Sequence, residues 1–181
     1  MTDQDEPEQI RWSGKFITAR TRGKWEYVTR ARGIRAAVIL AIDAEDHVLL
    51  VEQYRVPLGK RCLELPAGLI GDDEGAEGED ALAAAARELE EETGYHAAQI
   101  TSLGEFYSSP GMVSESFTLV RAHGLSKVGP GGGTASEDIT VHRVPLSTLA
   151  QFVELARARG LGIDVRLLML LAPTLLGGTT I

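Results

Sequence analysis

Several residue types are scarce in this sequence, and each scarcity excludes a class of protein. The chain has one cysteine, Cys62, which excludes an internal disulfide framework and a multi-cysteine zinc site. Its 4 histidines are scattered without an H-x-x-x-H pair, so a histidine-built metal site is not expected. Acidic side chains outnumber basic ones by 26 to 18, and the net charge of −8 argues against nucleic-acid binding, which relies on Lys and Arg to neutralise phosphates.

Long apolar runs are missing as well. The most apolar stretch, residues 167–176, contains Pro173 and falls well short of the roughly 20 residues that a membrane-spanning helix needs. Residues 1–9 are acidic and polar, unlike a signal or transit peptide. We therefore expect a cytoplasmic chain without a membrane partner, in which Cys62 is a buried small hydrophobe.

The hydrophobic pattern alternates between strand-like and helix-like periods. A helix is expected from Asp80, as its N-cap, to Thr93, with Gly94 just past its end, and the Gly- and acid-rich residues 71–78 are expected to form a loop. The other expected helices are residues 146–159 and 163–176, and the expected strands are residues 12–20, 24–30, 34–42, 47–53, 63–65, 100–107, 116–122 and 138–144. This order predicts an α/β sandwich with a mixed sheet.

Aromatic residues make up only 6% of the chain, and Trp12, Phe16, Trp25 and Tyr27 all lie near its N-terminus. They could cover the sheet of this domain, cross to a second subunit, or stack on a flat ligand group. The sequence leaves these three possibilities open.

The helix that begins after Asp80 ends in the glutamates Glu88, Glu90, Glu91 and Glu92. A helix C-terminus carries partial negative charge, so each of these carboxylates should cost about 0.3–1 kcal/mol there. Either they form a solvated acidic face, or they converge on hard divalent cations that offset the repulsion. Their spacing alone does not separate the two readings.

The surrounding residues favour the second reading. Glu79 lies eight residues before Arg87, and R-E-L-E-E-E-T-G-Y follows from Arg87 to Tyr95. This pattern resembles the signature of the Nudix hydrolases. That signature places a glycine where Asp73 stands here, so Gly68 is the expected equivalent and residues 69–78 read as an insertion.

The resemblance implies a Nudix-type α/β/α sandwich with a mixed β-sheet, in which this helix binds divalent metal. Carried over to this sequence, Glu88 and Glu92 are the principal ligands and Glu91 shares a metal. The carbonyl of Ala67 completes the coordination. Mg²⁺ is the expected cofactor, with Mn²⁺ as a substitute.

The same resemblance assigns further catalytic residues. Arg87 and Glu79 form an ion pair that orients the metal ligands. The glycine-rich residues 129–138 are either a flexible surface connection or a mobile flap that brings an acid over the metals. In the second case Glu137 is the expected general base, with Asp138 as the alternate.

Other motifs are similar to those of the ADP-ribose pyrophosphatase branch. They are E-Q-Y-R at residues 52–55, E-L-P-A-G at residues 64–68, and the S-P-G loop and following acid within residues 108–115. The implied substrate contacts are Arg55, Glu115, Met112 and, across the interface of a homodimer, Trp12 and Phe16, with Trp25 and Tyr27 as further candidates. From the sequence alone, Arg55 could instead cap a strand and Glu115 could be a surface acid; the family context favours a phosphate or ribose contact for Arg55.

The expected function is Mg²⁺-dependent hydrolysis of ADP-ribose to AMP and ribose 5-phosphate. The alternatives are the same reaction on another nucleoside diphosphate sugar or dinucleotide, such as GDP-mannose or NADH, and a non-catalytic nucleotide-sensing module. Residues 1–32 are expected to form an N-terminal β-ribbon exchanged in a homodimer, and residues 33–181 the Nudix domain.

Overall fold

A computed structural model describes residues 3–31, 34–71, 80–134 and 137–177. The helices are α1 Ala81–Thr93, α2 Leu149–Ala158 and α3 Leu168–Leu176. The strands are β1 Gln9–Ser13, β2 Ile17–Arg22, β3 Trp25–Arg30, β4 Arg35–Ala41, β5 His47–Arg55, β6 Lys60–Glu64, β7 Ala67–Ile70, β8 Tyr95–Tyr107, β9 Ser116–Lys127, β10 Thr140–Pro145 and β11 Gly162–Ile163.

The strands form three sheets. Two have four strands each, in the orders β10-β5-β6-β11 and β7-β4-β9-β8, and the third is the ribbon β1-β2-β3. The pairs β4–β9 and β6–β11 are parallel and the other pairs are antiparallel. The predicted α/β fold with mixed pairing is therefore confirmed, although the strands divide into two mixed four-stranded sheets rather than one.

Strand β4 shows why helices cover both faces of these sheets. Its alternate residues Ala37, Ile39 and Ala41 pack in one cluster with the buried face of α1. The intervening Val38 and Leu40 pack in a second cluster with α2 and α3. Because successive side chains of a strand point to opposite faces, one apolar run supplies both cores.

Helix α1 has the predicted ends. The Asp80 carboxylate accepts hydrogen bonds from the backbone N–H groups of Leu82 and Ala83, at 3.1 and 3.2 Å, as an N-cap does. At the other end Gly94 has a φ of 71°, in the left-handed region that glycine tolerates, and its N–H bonds to the Glu90 carbonyl. The end of the helix that carries the glutamates lies beside β7, where the Ala67 N–H donates to Glu92.

The N-terminal ribbon differs from the prediction because it has three strands. The expected strand over residues 12–20 is broken at Gly14, whose N–H bonds to the Ile17 carbonyl at 2.9 Å. The Trp12 ring crosses the Gly14 backbone so closely that a Cβ there would overlap with it. A bridge between Val28 and Val113 joins the ribbon to the loop after β8.

Two short strands, β7 and β11, were not predicted. The expected helix over residues 163–176 is divided into β11, a 3₁₀ turn over Val165–Leu167 and α3, because Asp164 caps the turn through the Arg166 N–H. Residues 72–78 of the predicted loop and insertion, and the predicted domain boundary between 32 and 33, lie outside the described residues. No helix in the described ranges is long and apolar enough to cross a membrane.

Candidate active site

A cavity of about 720 Å³ opens where the C-terminal half of α1 meets β5, β6 and β7. Its polar lining is divided by charge. The carboxylates of Glu88, Glu92 and Glu137 line one part, and the guanidinium groups of Arg55 and Arg166 line another. The cavity therefore combines two kinds of group that suit a diphosphate ester. The carboxylates can hold metal cations, and the guanidinium cations can hold phosphate oxygens.

Glu92 is the most deeply buried acid of this set, with 4% of its surface exposed. Its Oε2 accepts a hydrogen bond of 3.0 Å from the Ala67 N–H, which fixes the carboxylate against β7. Burial raises the pKa of Glu92 to about 8, and the negative charges of Glu88 and Glu137 add to the rise. A cation at this position would relieve both effects.

Glu88 lies one helical turn earlier on the same face of α1. Burial raises its pKa above the ordinary value, Arg87 opposes the rise, and the charges of Glu91 and Glu137 add to it. Gly68 makes room for this side chain, since a Cβ at that position would overlap with Cγ and Cδ of Glu88. Gly68, which the sequence analysis singled out, therefore leaves the space that the side chain of the predicted metal ligand Glu88 occupies.

Glu91 is not among the residues that line the cavity, and 42% of its side chain is exposed. Arg87 Nη1 is 2.9 Å from Glu88 Oε1 and 3.3 Å from Glu91 Oε2, so the guanidinium links the two carboxylates. Glu79, the predicted partner of Arg87, lies outside the described residues. Ala67 is beside Glu92 as expected, through its N–H; the role of its carbonyl stays a prediction.

In this conformation no three carboxylate, imidazole or thiol groups of the described ranges converge closely enough to enclose a metal ion. The two glutamates nevertheless fit a hard divalent cation. Glu88 is half-buried and Glu92 is buried, their negative charges repel each other, and both offer only oxygen ligands. Magnesium commonly takes one or two protein carboxylates and fills its other positions with water and substrate phosphate.

The glycine-rich loop is packed on the end of α1 rather than forming a loose surface connection. The N–H groups of Gly132 and Gly133 donate to the Glu92 and Glu91 carbonyls, at 2.8 and 2.9 Å. Gly131, Gly132 and Gly133 all have positive φ, and a Cβ on Gly131 would overlap with the backbone of Thr93. Glycines are needed here so that the loop backbone can reach the last carbonyls of the helix.

Lys127 strengthens the same helix end. Its Nζ donates to the Thr93 carbonyl at 2.8 Å and lies 4.6 Å from the centre of the Tyr95 ring. A cation at a helix C-terminus offsets the partial negative charge there. The glutamates of α1 are therefore tolerated because Lys127 and the loop N–H groups stabilise the end of the helix that carries them.

The loop brings Glu137 to the cavity and leaves Asp138 outside it. Glu137 Oε2 accepts hydrogen bonds from the N–H and Oγ1 of Thr134, at 2.8 and 3.0 Å. Asp138 instead contacts Nη1 of Arg61, a β6 residue, at 2.7 Å, and 88% of its side chain is exposed. Of the two acids considered as general base, only Glu137 lines the cavity.

Two arginines share one buried acid on the opposite side. Arg55 donates to both oxygens of Glu64, at 2.7 and 2.8 Å, and this bond raises the pKa of the guanidinium. Arg166 donates to both oxygens of Asp164 at 2.6 Å and lies 3.6 Å from Glu64 Oε2. The sequence analysis predicted Arg55 as a site residue. It did not predict Glu64, Asp164 or Arg166, although Glu64 begins the E-L-P-A-G motif.

Glu115 also lines the cavity. It pairs with Arg30, whose Nε and Nη2 lie 2.6 and 2.5 Å from Glu115 Oε1. Ser108 Oγ is 3.4 Å from the other oxygen. Arg30 was not singled out from the sequence, because it stands in the ribbon and reaches Glu115 only through the tertiary fold.

Three predicted substrate contacts are exposed and are not among the residues that line this cavity. Trp12, Phe16 and Met112 keep 57%, 55% and 62% of their surface exposed. Trp25 and Tyr27 line a second cavity of about 520 Å³ between the ribbon and the loop around Pro110. Their predicted contact with substrate across a homodimer interface stays a prediction.

Cys62 is buried, with 4% of its surface exposed. Burial raises the pKa of its thiol to about 12, and the nearby charges of Glu64 and Asp164 contribute. The thiol therefore stays protonated at neutral pH, which is consistent with the prediction of a small buried hydrophobe.

Comparison with known proteins finds relatives in sequence and a solved structure with the same fold. A methanol dehydrogenase activator of Bacillus methanolicus is 46% identical over 92 residues, which make up 51% of this chain and 47% of that protein. An ADP-ribose pyrophosphatase of Bacillus subtilis is 40% identical over 91 residues, 50% of this chain and 46% of that protein. The chain thus spans about half the length of these two curated relatives.

The crystal structure of an ADP compounds hydrolase superposes on this chain with a TM-score of 0.67 and 24% sequence identity. The superposition covers 97% of this chain and 95% of that one. At this identity the likeness shows the fold. The NUDIX domain family matches residues 32–157, which include α1, the glycine-rich loop and most of the cavity. The chain belongs to the Nudix family.

Proposed function

We propose that this protein hydrolyses the diphosphate bond of ADP-ribose, giving AMP and ribose 5-phosphate, with Mg²⁺ as cofactor and Mn²⁺ as a substitute. One observation carries the proposal: Glu88, Glu92 and Glu137 line the same cavity as Arg55 and Arg166. A relative matched over half of this chain is named an ADP-ribose pyrophosphatase, which supports the choice of substrate.

The carboxylates of Glu88 and Glu92 would hold the divalent cation, with Glu91 and the Ala67 carbonyl as further ligands. A cation held there supplies charge neutralisation for the diphosphate and activation of a water molecule. The Ala67 N–H keeps Glu92 oriented, at 3.0 Å, and Gly68 leaves space for Glu88. Arg87 orients Glu88 and Glu91 from outside the cavity, and its predicted pairing with Glu79 belongs to the same role.

Glu137 is the proposed general base, since it lines the cavity and its charge acts on both Glu88 and Glu92. In the present conformation its Oε2 accepts hydrogen bonds from the N–H and Oγ1 of Thr134, which orient the carboxylate. A carboxylate at this position could take a proton from water.

Arg55 and Arg166 are the proposed contacts for phosphate and ribose oxygens. Each guanidinium already satisfies a carboxylate on one edge, which holds it in a fixed orientation for a ligand on the other edge. Glu115, paired with Arg30, would contact the substrate from the ribbon side of the cavity.

A homodimer would complete the base-binding end of the site. Trp12, Phe16 and Trp25 each expose more than half of their surface, which is costly for a ribbon that remains uncovered. We propose that these aromatic residues, with Met112, contact the adenine in the dimer. The cytoplasmic location stays a prediction, to be tested by cell fractionation.

The substrate is tested with a panel of ADP-ribose, GDP-mannose, NADH and diadenosine polyphosphates, each with Mg²⁺ and with chelator. We expect chelator-sensitive release of AMP and ribose 5-phosphate from ADP-ribose, much faster than turnover of the other compounds. Faster turnover of another compound would make that compound the proposed substrate and would leave the proposed metal site unchanged. No turnover of any member by the folded protein would favour a nucleotide-sensing role.

A further inference from the structure

Arg61, on β6, forms an unusually complete set of contacts outside the cavity. Its Nε donates to Glu52 Oε1 at 2.8 Å and its Nη2 to the Glu52 carbonyl at 2.8 Å. Its Nη1 donates to Asp138 Oδ2 at 2.7 Å, and Nη2 also lies 3.2 Å from the Asp138 carbonyl and 3.3 Å from Thr140 Oγ1. One guanidinium therefore joins β5, β6 and the start of β10.

Glu52 holds this guanidinium in place. It is 8% exposed, and its second oxygen, Oε2, contacts His142 Nε2 at 3.0 Å and Arg159 Nη2 at 3.3 Å. A buried carboxylate with partners on both oxygens has little freedom to turn. Arg61 is thus fixed from the sheet side, and its remaining edge points to Asp138.

Asp138 is the residue directly after Glu137. The chain on the other side of Glu137 is bound to the end of α1 through the N–H groups of Gly132 and Gly133. The segment that carries Glu137 is therefore attached at two points, to the metal-site helix before it and to Arg61 after it.

We propose that Arg61 is a positioning residue, which sets the reach of the Glu137 carboxylate into the cavity by holding the backbone and side chain of Asp138. This inference rests on the proposed function, in which Glu137 is the general base. Arg61 itself does not touch the substrate, and it is not among the residues that line the cavity. Its effect belongs to the chemical step and not to substrate binding.

The test compares kcat and KM for ADP-ribose hydrolysis in Arg61→Ala, Asp138→Asn, Glu137→Gln and the double variant Arg61→Ala/Glu137→Gln. A displacement of a catalytic group by about 1 Å can cost about 100-fold in rate. We expect Arg61→Ala and Asp138→Asn each to lower kcat at least tenfold while KM changes less than threefold. In the Glu137→Gln background, Arg61→Ala should change kcat less than twofold, because the group it positions is already gone.

Arg143 offers a matched control. Arg143 lies on β10 and makes comparable ion pairs with Asp43 and Glu45, at 2.6 and 2.8 Å. Neither partner belongs to the glycine-rich loop, so the contacts of Asp138 remain when Arg143 is replaced. Arg143→Ala should leave kcat within twofold of the unmodified protein. Asp138→Asn removes the ion pair from an exposed side chain, so it tests the inference even if Arg61→Ala does not fold.

Two results would overturn the inference: a kcat within twofold of the unmodified protein in both Arg61→Ala and Asp138→Asn, or an Arg61→Ala effect that persists undiminished beside Glu137→Gln. The proposed base is judged separately by Glu137→Gln alone. If that single change leaves kcat within threefold, Glu137 is not the base and the positioning role falls with it. If it abolishes turnover while Arg61→Ala does not matter, only the positioning role fails.

Discussion

Replacing Gly68 by alanine should separate activity from stability. The residue lies in β7 with a φ that alanine adopts freely, so the backbone should accept the change. The added Cβ, however, would lie inside the van der Waals contact distance of Cγ and Cδ of Glu88. Those atoms must retreat by more than about 1 Å to reach the ordinary carbon–carbon separation of about 3.5 Å.

This movement displaces the Glu88 carboxylate and leaves the hydrophobic core unchanged. Glu88 is the mobile end of a side chain at the cavity wall, so the clash can be relieved without shifting β7 or α1. A misplacement of about 1 Å at a catalytic group can cost about 100-fold in rate. We therefore expect Gly68→Ala to lower kcat for ADP-ribose about 100-fold and to weaken Mg²⁺ activation, while the melting temperature changes by no more than about 2–4 °C.

The assay measures AMP release over a Mg²⁺ titration, together with thermal unfolding of the same preparations. Gly129→Ala is the matched control, because a Cβ there meets no atom within 4 Å and its φ is not in the left-handed region. It should keep a rate within threefold of the unmodified protein. A Gly68→Ala variant as active as Gly129→Ala would refute the placement of Glu88 as a metal ligand.

The charged and buried groups supply the other predictions. Because the pKa of Glu92 is raised to about 8, its proton must leave before a cation binds, so calorimetry should show Mg²⁺ affinity rising about tenfold per pH unit below pH 8. By the same linkage the metal-free protein should lose stability as pH rises from the ordinary glutamate value towards 8, since the folded state holds that proton more tightly than the unfolded state; a melting temperature that is flat or rising over this range would contradict it. Cys62, with a pKa of about 12, should resist alkylation at pH 8 until the chain is unfolded, as mass spectrometry can show. Lys127→Met should cost about 1 kcal/mol, seen as a melting temperature about 2–4 °C lower, because the α1 carbonyl of Thr93 loses its cation; an unchanged value would exclude this role.

Local signals in the sequence were enough to predict helix α1 and the glutamates that it carries. The helix propensity of its alanines, the Asp80 cap and Gly94 define the element, and the spacing of Glu88 and Glu92 places both on one face. These features depend on residues a few positions apart. The same holds for β4 and β5, whose apolar runs were expected as strands over nearly the observed ranges.

Features that depend on distant residues were missed. Strand β11 has two residues and exists because it pairs with β6, which no local pattern reveals. Arg166 reaches the cavity from a stretch that is apolar enough to be expected as one helix. The glycine-rich loop was left open between a surface connection and a flap, because its hydrogen bonds to the end of α1 join residues about 40 positions apart.

The most direct test of the central claim is the Mg²⁺ dependence of ADP-ribose hydrolysis in the unmodified protein and in Glu92→Gln. Glutamine keeps the size of the side chain and can still accept the Ala67 N–H, but it lacks the charge that a divalent cation needs. We predict chelator-sensitive AMP release that falls at least 100-fold in Glu92→Gln, with the fold retained. Hydrolysis that continues in chelator, or a Glu92→Gln rate within threefold of the unmodified protein, would contradict a metal site on this helix.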